Sequence, residues 1–276
     1  AIALRKDPMT AIKAATLHPV RHYKLENGLL QIGDSADVIE VDNLSDFTIL
    51  KTFIKGQLVA ENGQSNLISH PVKAINNFQR SKDLSIDQLS LKITATNTPC
   101  IGIIDKQIVT KKMYYNSEPK DEFTPDTAGD YLKLVVVNRY QPEAQVKSCI
   151  VHGSGLQQGA FASSVAHDSH NIIAIGVDDA DILKAINLVI HNRGGLSAVY
   201  NGETRELPLP VAGLMSTDDA YTVGDDYELL DKFVKQKMEC TLTAPFMSIS
   251  FLSLLVIPEL KLGDKGLFDV TAFDFC

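Results

Sequence analysis

The sequence predicts an α+β or α/β chain, with a small strand-rich module over residues 1–66 and a larger layered domain with a mixed sheet over residues 67–276. Three observations support this. Short apolar runs separated by turn residues predict many strands. Two amphipathic helical segments interrupt the strands in the second half of the chain. Residues 67–90 show no clear period, which is typical of a connector between two modules that includes a short helix or strand.

The composition is that of an ordinary globular protein and argues against two classes of partner. Of the 276 residues, 45% are apolar and 22% are charged, and the formal net charge is −8. An acidic chain offers no basic face for nucleic acid or an anionic membrane. The longest apolar stretch, residues 246–257, is shorter than the ~20 residues that cross a bilayer. The four cysteines form no CxxC pair, which fits a reducing compartment, so we expect a cytoplasmic protein.

The first module begins with a helix and continues as strands. Asp7 is a suitable N-cap and Pro8 suits the first helical turn, so a helix is predicted from there to about His18. The runs ADVIEV and ILKTFIKGQLVAENG then predict strands, the second of them a hairpin that turns at Lys55-Gly56. One short helix and four short strands do not form a stable domain alone, so this module needs something further to pack against.

The same segment carries a family resemblance. AATLHPVRHYKL, followed by GLLQIGDSADVIEVD and FTILKTFIKGQLVAENG, resembles the closing part of amidohydrolase superfamily enzymes over residues 8–63. In that superfamily the last helix of a (β/α)8 barrel ends in a phrase with Asn where this chain has His18, and a small β-sandwich follows. The resemblance implies that a TIM barrel precedes this point and is absent from this chain.

Strands dominate the second module from Leu91 onward, in the runs LKITAT, IGIID, QIVTKKMYY, LKLVVVNRY and KSCIV. Two helices follow. DDADILKAINLVIHNRGG has a cap at Asp178 or Asp179 and ends in Gly-Gly, and TDDAYTVGDDYELLDKFVKQKM has the apolar spacing of a second helix. Between them, LSAVYNGETREL predicts a hairpin that turns at its Asn-Gly pair.

Residues 90–276 resemble the C-terminal domain of the bacterial adenine deaminase family, through the phrases GSGLQQGAFASSVAHDSHNIIAIG, LPLPVAGLMS and APFMSISFLSLLVIPELKLGDKGLFDV. The resemblance implies the C-terminal portion of a metal-dependent purine-salvage hydrolase that converts adenine and water to hypoxanthine and ammonia. It also implies that a pair of manganese or iron ions is held by residues of the barrel. We therefore expect no metal and no catalytic residue in this chain, and no activity without the barrel.

The phrase HDSHN, here called the HDSHN loop, supplies most candidate site residues. The candidates, as substrate-proximal or supporting groups, are His167, Asp168, Ser169, His170, Asn171 and, from LPLPVAGLMS, Ser216. Imidazole and amide groups can bond purine ring nitrogens, and a His–Asp contact fixes a tautomer. Alternatively, Asp, Ser and Asn bond nearby backbone groups and form only a turn, and Ser216 belongs to a rigid connector. Two histidines and one aspartate underfill a metal site, and the chain has no HxH or HExxH pair.

A glycine-rich phrase, VHGSGLQQG, follows the strand KSCIV and differs by one residue from the dinucleotide-binding fingerprint. Too few residues separate it from the next strand for the crossover helix of that motif, so a tight turn is favoured over nucleotide binding. Two broader functions stay open: an enzyme portion that partners a barrel, or a non-catalytic purine-binding or assembly module. An apolar face left by the barrel would also favour a homo-oligomer.

Overall fold

The computed structural model describes residues 7–68, 70, 73–143 and 145–276. The chain divides into two compact units, Ala1–His70 and Pro71–Cys276. The predicted mixture of helices with a large mixed sheet is confirmed, and the described residues form no (β/α)8 barrel. Within the same residues, no helix is long and apolar enough to cross a membrane.

Unit 1 consists of two short helices and a four-stranded antiparallel sheet. Asp7 caps the first helix as predicted, because its Oδ2 accepts the Thr10 N–H at 2.7 Å. The helical region does not end at His18. A break at Thr16 starts a second helix, and Pro19 lies in its first turn, where a missing N–H breaks no helical hydrogen bond. The elements are α1 (Pro8–Ala15), α2 (Leu17–Tyr23), β1 (Val38–Val41), β2 (Ile49–Ile54), β3 (Gln57–Glu61) and β4 (Gln64–Ser65), with the strands paired in chain order.

Unit 1 has no core of its own among its described residues, since none of their side chains is fully buried. The predicted hairpin between β2 and β3 is confirmed. Residues of both helices and of the sheet line an open apolar groove of about 1090 Å³, including Ile12, Leu17, Val38, Val41 and Phe53. These observations support the expectation that this module packs against something further.

Unit 2 is built on one eight-stranded sheet. Its strands are β5 (Asn97–Ile103), β6 (Thr110–Asn116), β7 (Tyr131–Val137), β8 (Val146–His152), β9 (Ala160–Ser163), β10 (Ile172–Gly176), β11 (Gly195–Tyr200) and β12 (Glu203–Pro208). They lie in the order β12-β11-β9-β10-β7-β8-β5-β6. Neighbouring strands are antiparallel except β5 and β8, which are parallel. The sheet is therefore mixed, as predicted.

Both faces of this sheet are covered, as alternate residues of β7 show. Leu134 and Val136 belong to one core, and Val135 and Val137 belong to another. The first core includes residues of α4 (Ala220–Lys232), the π-helical turn Phe233–Lys237, α5 (Pro245–Ser250) and β13 (Leu260–Gly263). β13 belongs to a three-stranded sheet with β14 (Gly266–Asp269) and the exposed β15 (Asp274–Phe275). The second includes α3 (Asp179–His191) and the 3₁₀ turn Ile86–Leu89.

One predicted strand is absent from the structure, and one strand of the structure was not predicted. The run LKITAT does not form a strand, since only its Ile93 makes an isolated bridge, to Lys120. Conversely, AFAS forms the central strand β9 although small residues carry little β-propensity. Ala160 and Ala162 of this strand lie in the core beneath α3, where small side chains let the helix approach the sheet closely.

Candidate functional site

The HDSHN loop connects two neighbouring antiparallel strands, β9 and β10. It begins after the buried Ala166 and ends at the buried Asn171, whereas Asp168 and Ser169 at its apex are exposed. The His170 N–H donates to the Ala166 carbonyl at 2.6 Å, and His170 adopts the left-handed backbone conformation with a φ of 50°. The peptide bond between His167 and Asp168 is cis. The loop is therefore a closed turn at one end of the sheet.

One side of the loop rests on the end of α5. The His167 N–H donates to the Ser250 carbonyl at 2.8 Å. The His167 ring is nearly parallel to the Phe251 ring, with an angle of 19° and 4.9 Å between centroids. The His170 ring meets His167 edge-on at 5.3 Å. The two loop histidines thus form one aromatic group with Phe251.

The other side of the loop is held by the segment that follows β7. The Tyr140 hydroxyl donates to the Ser169 carbonyl at 2.7 Å, and it accepts from Arg139 Nη2 at 3.0 Å. Arg139 Nη1 donates to the Ala212 carbonyl at 2.8 Å. Asn138 Oδ1 accepts the Tyr140 N–H at 2.9 Å and so fixes the turn in which these side chains lie. The loop is supported from both sides.

The surroundings of His170 favour its neutral form. Burial is the main cause that lowers the pKa of His170 below its ordinary value of 6.5. The charges of His167 and Arg139 lower this pKa further, and Asp168 opposes them. His170 is therefore neutral at pH 7, and a neutral imidazole has one nitrogen that donates a hydrogen bond and one that accepts.

Several buried polar atoms around the loop have no hydrogen-bond partner in the described part of the chain. They are His170 Nδ1, Asn171 Oδ1, Arg139 Nε and, two residues beyond Phe251, Ser253 Oγ. Buried polar groups are nearly always hydrogen-bonded, so each such atom calls for an explanation. Asn171 is 4% exposed, which means that its amide oxygen is held in place by the protein. The loop therefore holds unused hydrogen-bonding capacity at fixed positions.

Ser216, the remaining candidate, has different surroundings. Its hydroxyl donates to Asp218 Oδ2 at 2.9 Å and accepts the Asp218 N–H at 3.1 Å, in the turn before α4. These hydrogen bonds of Ser216 are made to Asp218 and not to the HDSHN loop. Ala212, four residues earlier in the chain, accepts a hydrogen bond at its carbonyl from Arg139, which in turn bonds the Tyr140 hydroxyl beside the loop. A substrate-facing role for Ser216 stays a prediction.

Arg139, Tyr140 and Phe251 support the loop but were not among the candidates from the sequence. The one available signal was the run LVVVNRY, in which an apolar strand changes abruptly to three polar residues. Nothing in the sequence pattern indicates that Phe251 stacks on a histidine 84 positions away, since that contact depends on the fold (251 − 167 = 84).

The described residues do not fit a metal centre. No group of three or more His, Cys, Asp or Glu side chains among them could hold an ion. His167, Asp168 and His170 lie within four residues of one another, but the His167 ring stacks on Phe251 and the His170 ring meets His167 edge-on. We therefore assign no step of metal chemistry to these residues.

The glycine turn does not offer a free phosphate site. The Asp130 carboxylate accepts the N–H groups of Gly153 at 2.9 Å and of Gly155 at 3.0 Å, and the Ser154 hydroxyl at 3.2 Å. These backbone amides are the donors that a phosphate would require. A carboxylate of the same chain, Asp130, already accepts from these amides. This supports the tight-turn interpretation and argues against dinucleotide binding here.

Comparison with known proteins gives two family matches. The model described as "Adenine deaminase C-terminal domain" matches residues 107–274, and the model described as "Amidohydrolase family" matches residues 5–59. The HDSHN loop and its supports Tyr140 and Phe251 lie within the first match. The second match covers the described helices and most of the strands of unit 1.

Curated relatives agree with these matches. A protein named "Adenine deaminase" from Sulfurovum sp. (strain NBC37-1) is 43% identical over 279 residues, covering 100% of this chain and 50% of the relative. One from Methanosarcina acetivorans is 44% identical over 280 residues, covering 98% and 50%. One from Borreliella burgdorferi is 41% identical over 270 residues, covering 98% and 49%. The chain thus spans about half the length of the curated relatives it matches. Since the C-terminal domain model covers more than half of its residues, the chain belongs to the adenine deaminase C-terminal domain family.

Proposed function

We propose that this chain is the C-terminal portion of a metal-dependent adenine deaminase, which converts adenine and water to hypoxanthine and ammonia in cytoplasmic purine salvage. The support is the family match over residues 107–274 and the name of the relatives, which the chain matches along nearly its whole length. The chain's own part in this function is carried by the HDSHN loop.

The observation that carries the proposal is the pair of unpaired hydrogen-bonding atoms on His170 and Asn171, which are buried in the closed loop and become accessible to a purine when the loop opens. The His170 ring is neutral at pH 7, and the Asn171 amide oxygen is an acceptor fixed by burial. The edge of adenine carries ring nitrogens that accept and an amino group that donates. A neutral imidazole and an amide can complement both kinds of group, whereas a charged imidazole can only donate. The loop is chemically suited to lie against a purine.

In this proposal the loop covers or completes an active site whose reactive groups lie outside this chain. Manganese or iron, as a pair, would be bound by residues of a barrel, as the similarity to the amidohydrolase family suggests. A bound metal would supply the activated water of the hydrolysis. His167, His170 and Asn171 would orient the base and exclude bulk water from it. Asp168 and Ser169, exposed at the apex, would face the partner domain.

Ammonia release from adenine tests the proposal. The chain by itself, with Mn²⁺ or Fe²⁺ added, is expected to show no turnover above background. A chimera that fuses the half of the Sulfurovum relative not matched by this chain to Ala1 is expected to deaminate adenine, and that half alone is the control. A chimera that is folded and metal-loaded but inactive would contradict the proposed function. Turnover by the isolated chain would contradict the assignment of the metal ligands to the barrel.

Calorimetry separates this proposal from a non-catalytic purine-binding or assembly module. The same two unused atoms would serve such a module, so adenine and hypoxanthine are titrated into the chain alone. If the loop only completes a larger site, neither purine binds detectably. Binding by the chain alone, with an inactive chimera, would favour the binding module.

We also propose that the protein forms a homo-oligomer. The open groove of unit 1 leaves Leu30 85% exposed and carries other apolar side chains, and large apolar patches are typical of interaction surfaces. Light scattering of the chain measures its mass directly. A mass of one chain at all concentrations would contradict this part of the proposal.

A further inference from the structure

Arg139 is buried in unit 2 and its contacts there are neutral. Its side chain is 1% exposed and its guanidinium lies between the Phe78 ring, at 5.5 Å, and the Tyr140 ring, at 4.8 Å. Its hydrogen bonds go to the Ala212 carbonyl and to the Tyr140 hydroxyl. No carboxylate among the described residues forms a salt bridge with it. A buried charge without a counterion is costly, so this arginine is not explained by an ion pair.

The hydrogen bonds of Arg139 determine which way the Tyr140 hydroxyl points. A guanidinium can only donate, so Tyr140 Oη must accept from Arg139 Nη2. A hydroxyl has one proton, and that proton is then free to be donated to the Ser169 carbonyl, 2.7 Å away. The positive charge of the Arg139 guanidinium polarises the Tyr140 hydroxyl and so strengthens the hydrogen bond from that hydroxyl to the Ser169 carbonyl. Arg139 therefore acts on the HDSHN loop through Tyr140.

The Ser169 carbonyl is an effective point at which to hold the loop. It belongs to the peptide bond that leads into His170, whose left-handed backbone is the conformation that a non-glycine residue rarely adopts. The same residue's N–H is bonded to the Ala166 carbonyl. Once this peptide plane is fixed, the backbone of His170, from which its side chain projects, is restricted as well. The opposite end of the loop is fixed independently, by His167 on Phe251.

We propose that Arg139 and Tyr140 are positioning residues for the HDSHN loop: Arg139 orients the Tyr140 hydroxyl, and that hydroxyl holds the loop apex through the Ser169 carbonyl. The use of the loop in deamination rests on the proposed function. The positioning itself can be measured in the chain alone.

Amide hydrogen exchange of Tyr140→Phe tests the positioning. The substitution removes one hydroxyl and keeps the ring under the Arg139 guanidinium. The His170 amide is expected to exchange ~5- to 10-fold faster than in the wild type, which corresponds to the loss of one hydrogen bond. Tyr115→Phe is the matched control, because Tyr115 lies on β6 and, among the described residues, its hydroxyl accepts a hydrogen bond from Lys120 alone. His170 exchange within twofold of the wild type in Tyr140→Phe would overturn the proposal.

A second readout separates positioning from a general loss of stability. Burial is the main cause that lowers the pKa of His170. If Tyr140→Phe releases the loop, the NMR titration midpoint of His170 rises toward its ordinary value, while the exchange of amides in the core strand β7 stays unchanged. A uniform increase in exchange across β7 and the loop, with an unchanged His170 midpoint, would show that Tyr140 stabilises the whole unit and would contradict positioning.

Arg139→Lys tests the role of the guanidinium and keeps the positive charge. A lysine cannot reach the Tyr140 hydroxyl and the Ala212 carbonyl with two separate arms, so faster exchange of the His170 amide is expected here too. Wild-type exchange in Arg139→Lys would show that the charge alone suffices and would contradict the hydrogen-bond chain.

Activity of the chimera described above then separates the two proposals. If Tyr140 positions the loop and the loop is used in deamination, Tyr140→Phe lowers kcat/KM. The control Tyr115→Phe keeps the wild-type kcat/KM. Faster loop exchange with unchanged kcat/KM would support the positioning and contradict the use of the loop in deamination. Unchanged exchange would contradict the positioning whatever the activity.

Discussion

The His167 imidazole lies nearly parallel to the Phe251 ring, with 4.9 Å between their centroids and an angle of 19° between their planes. Phe251 directly follows α5, and the preceding residue, Ser250, accepts the His167 N–H. One turn of the apolar stretch at residues 246–257 thus binds both the backbone and the ring of a loop histidine. A segment whose sequence suggests only core has a second role in fixing a polar loop.

Phe251→Leu is expected to loosen this end of the loop. Leucine retains an apolar side chain of similar volume but cannot stack on imidazole, so the loss should be about 1 kcal/mol of unfolding free energy. Urea unfolding measures that loss, and exchange of the His167 amide locates it. Phe273→Leu is the control, because Phe273 is 80% exposed and packs only edge-on against Phe268. Equal losses in the two variants would contradict a special role for the stacking.

The titration of His170 should be shifted to the acid side. Because burial and the charges of His167 and Arg139 lower its pKa, its NMR midpoint is expected below 6.5. Between that midpoint and 6.5 the unfolded chain binds more protons than the folded chain, so the contribution of His170 to stability is lost as the pH falls through this window. His167→Asn removes a ring whose electrostatic effect lowers the pKa of His170, so it should raise the midpoint. A midpoint at or above 6.5 in the wild type would contradict the burial of the ring.

Local features of the fold could be predicted because their causes are local. The helix α3 begins where predicted, since Asp178 Oδ1 accepts the N–H groups of Ala180 at 2.7 Å and Asp181 at 3.1 Å. Its apolar stripe is buried as the 3.6-residue period predicts. The strand order of the eight-stranded sheet could not be predicted, because pairings such as the parallel one between β5 and β8 join distant parts of the chain.

The same distinction applies to buried charge and to the site. Lys133 is fully buried inside β7, where its ammonium bonds Glu122 at 3.0 Å and Asp179 at 2.8 Å. The run LKLVVVNRY gives no indication of these two partners. Likewise the HDSHN composition indicated the loop, but its support by Tyr140 joins residues 29 positions apart. Chemical composition located the candidate residues, and only the fold could show what holds them.

Asp130→Asn should destabilise the glycine turn. The carboxylate accepts from Gly153, Gly155 and Ser154, and an amide oxygen can replace only part of this set. Asp130 itself has a φ of 55°, which asparagine tolerates as well as aspartate does, so the substitution tests the carboxylate and not the backbone. A loss of ~1–3 kcal/mol in unfolding free energy is expected from chemical denaturation.

Asp126→Asn is the control for that measurement. Asp126 lies with Asp130 in the connection between β6 and β7. Its exposed side chain accepts the Gly129 N–H at 3.0 Å. Its substitution should cost less than about 1 kcal/mol of unfolding free energy.

Nucleotide binding at the glycine turn is tested separately. Calorimetric titration of the wild type with ATP or NAD is expected to show no binding, since the Asp130 carboxylate occupies the amides of Gly153 and Gly155. Binding of either nucleotide through this turn would contradict the assignment.

Lys261 is a buried amine whose hydrogen bonds go only to carbonyl groups. It is fully buried on β13, and its Nζ donates to the carbonyls of Ile108 at 2.8 Å and Phe251 at 2.9 Å. Burial lowers the pKa of Lys261 from 10.5 to about 8. Between those values the unfolded chain holds a proton that the folded chain has released, so the stability of the protein rises with pH in this window.

Lys261→Met isolates this effect. Methionine has no charge to desolvate, but it leaves two carbonyls without their donor, and near pH 7 these two changes partly cancel. From pH 8 to 10.5 the wild type should gain unfolding free energy relative to Lys261→Met, by an amount on the order of 3 kcal/mol. Lys265→Met, in the exposed turn between β13 and β14, should keep the pH dependence of the wild type. Guanidinium unfolding at a series of pH values measures the unfolding free energy of all three proteins. A difference in unfolding free energy between the wild type and Lys261→Met that does not change with pH would show that Lys261 is not desolvated in the folded protein.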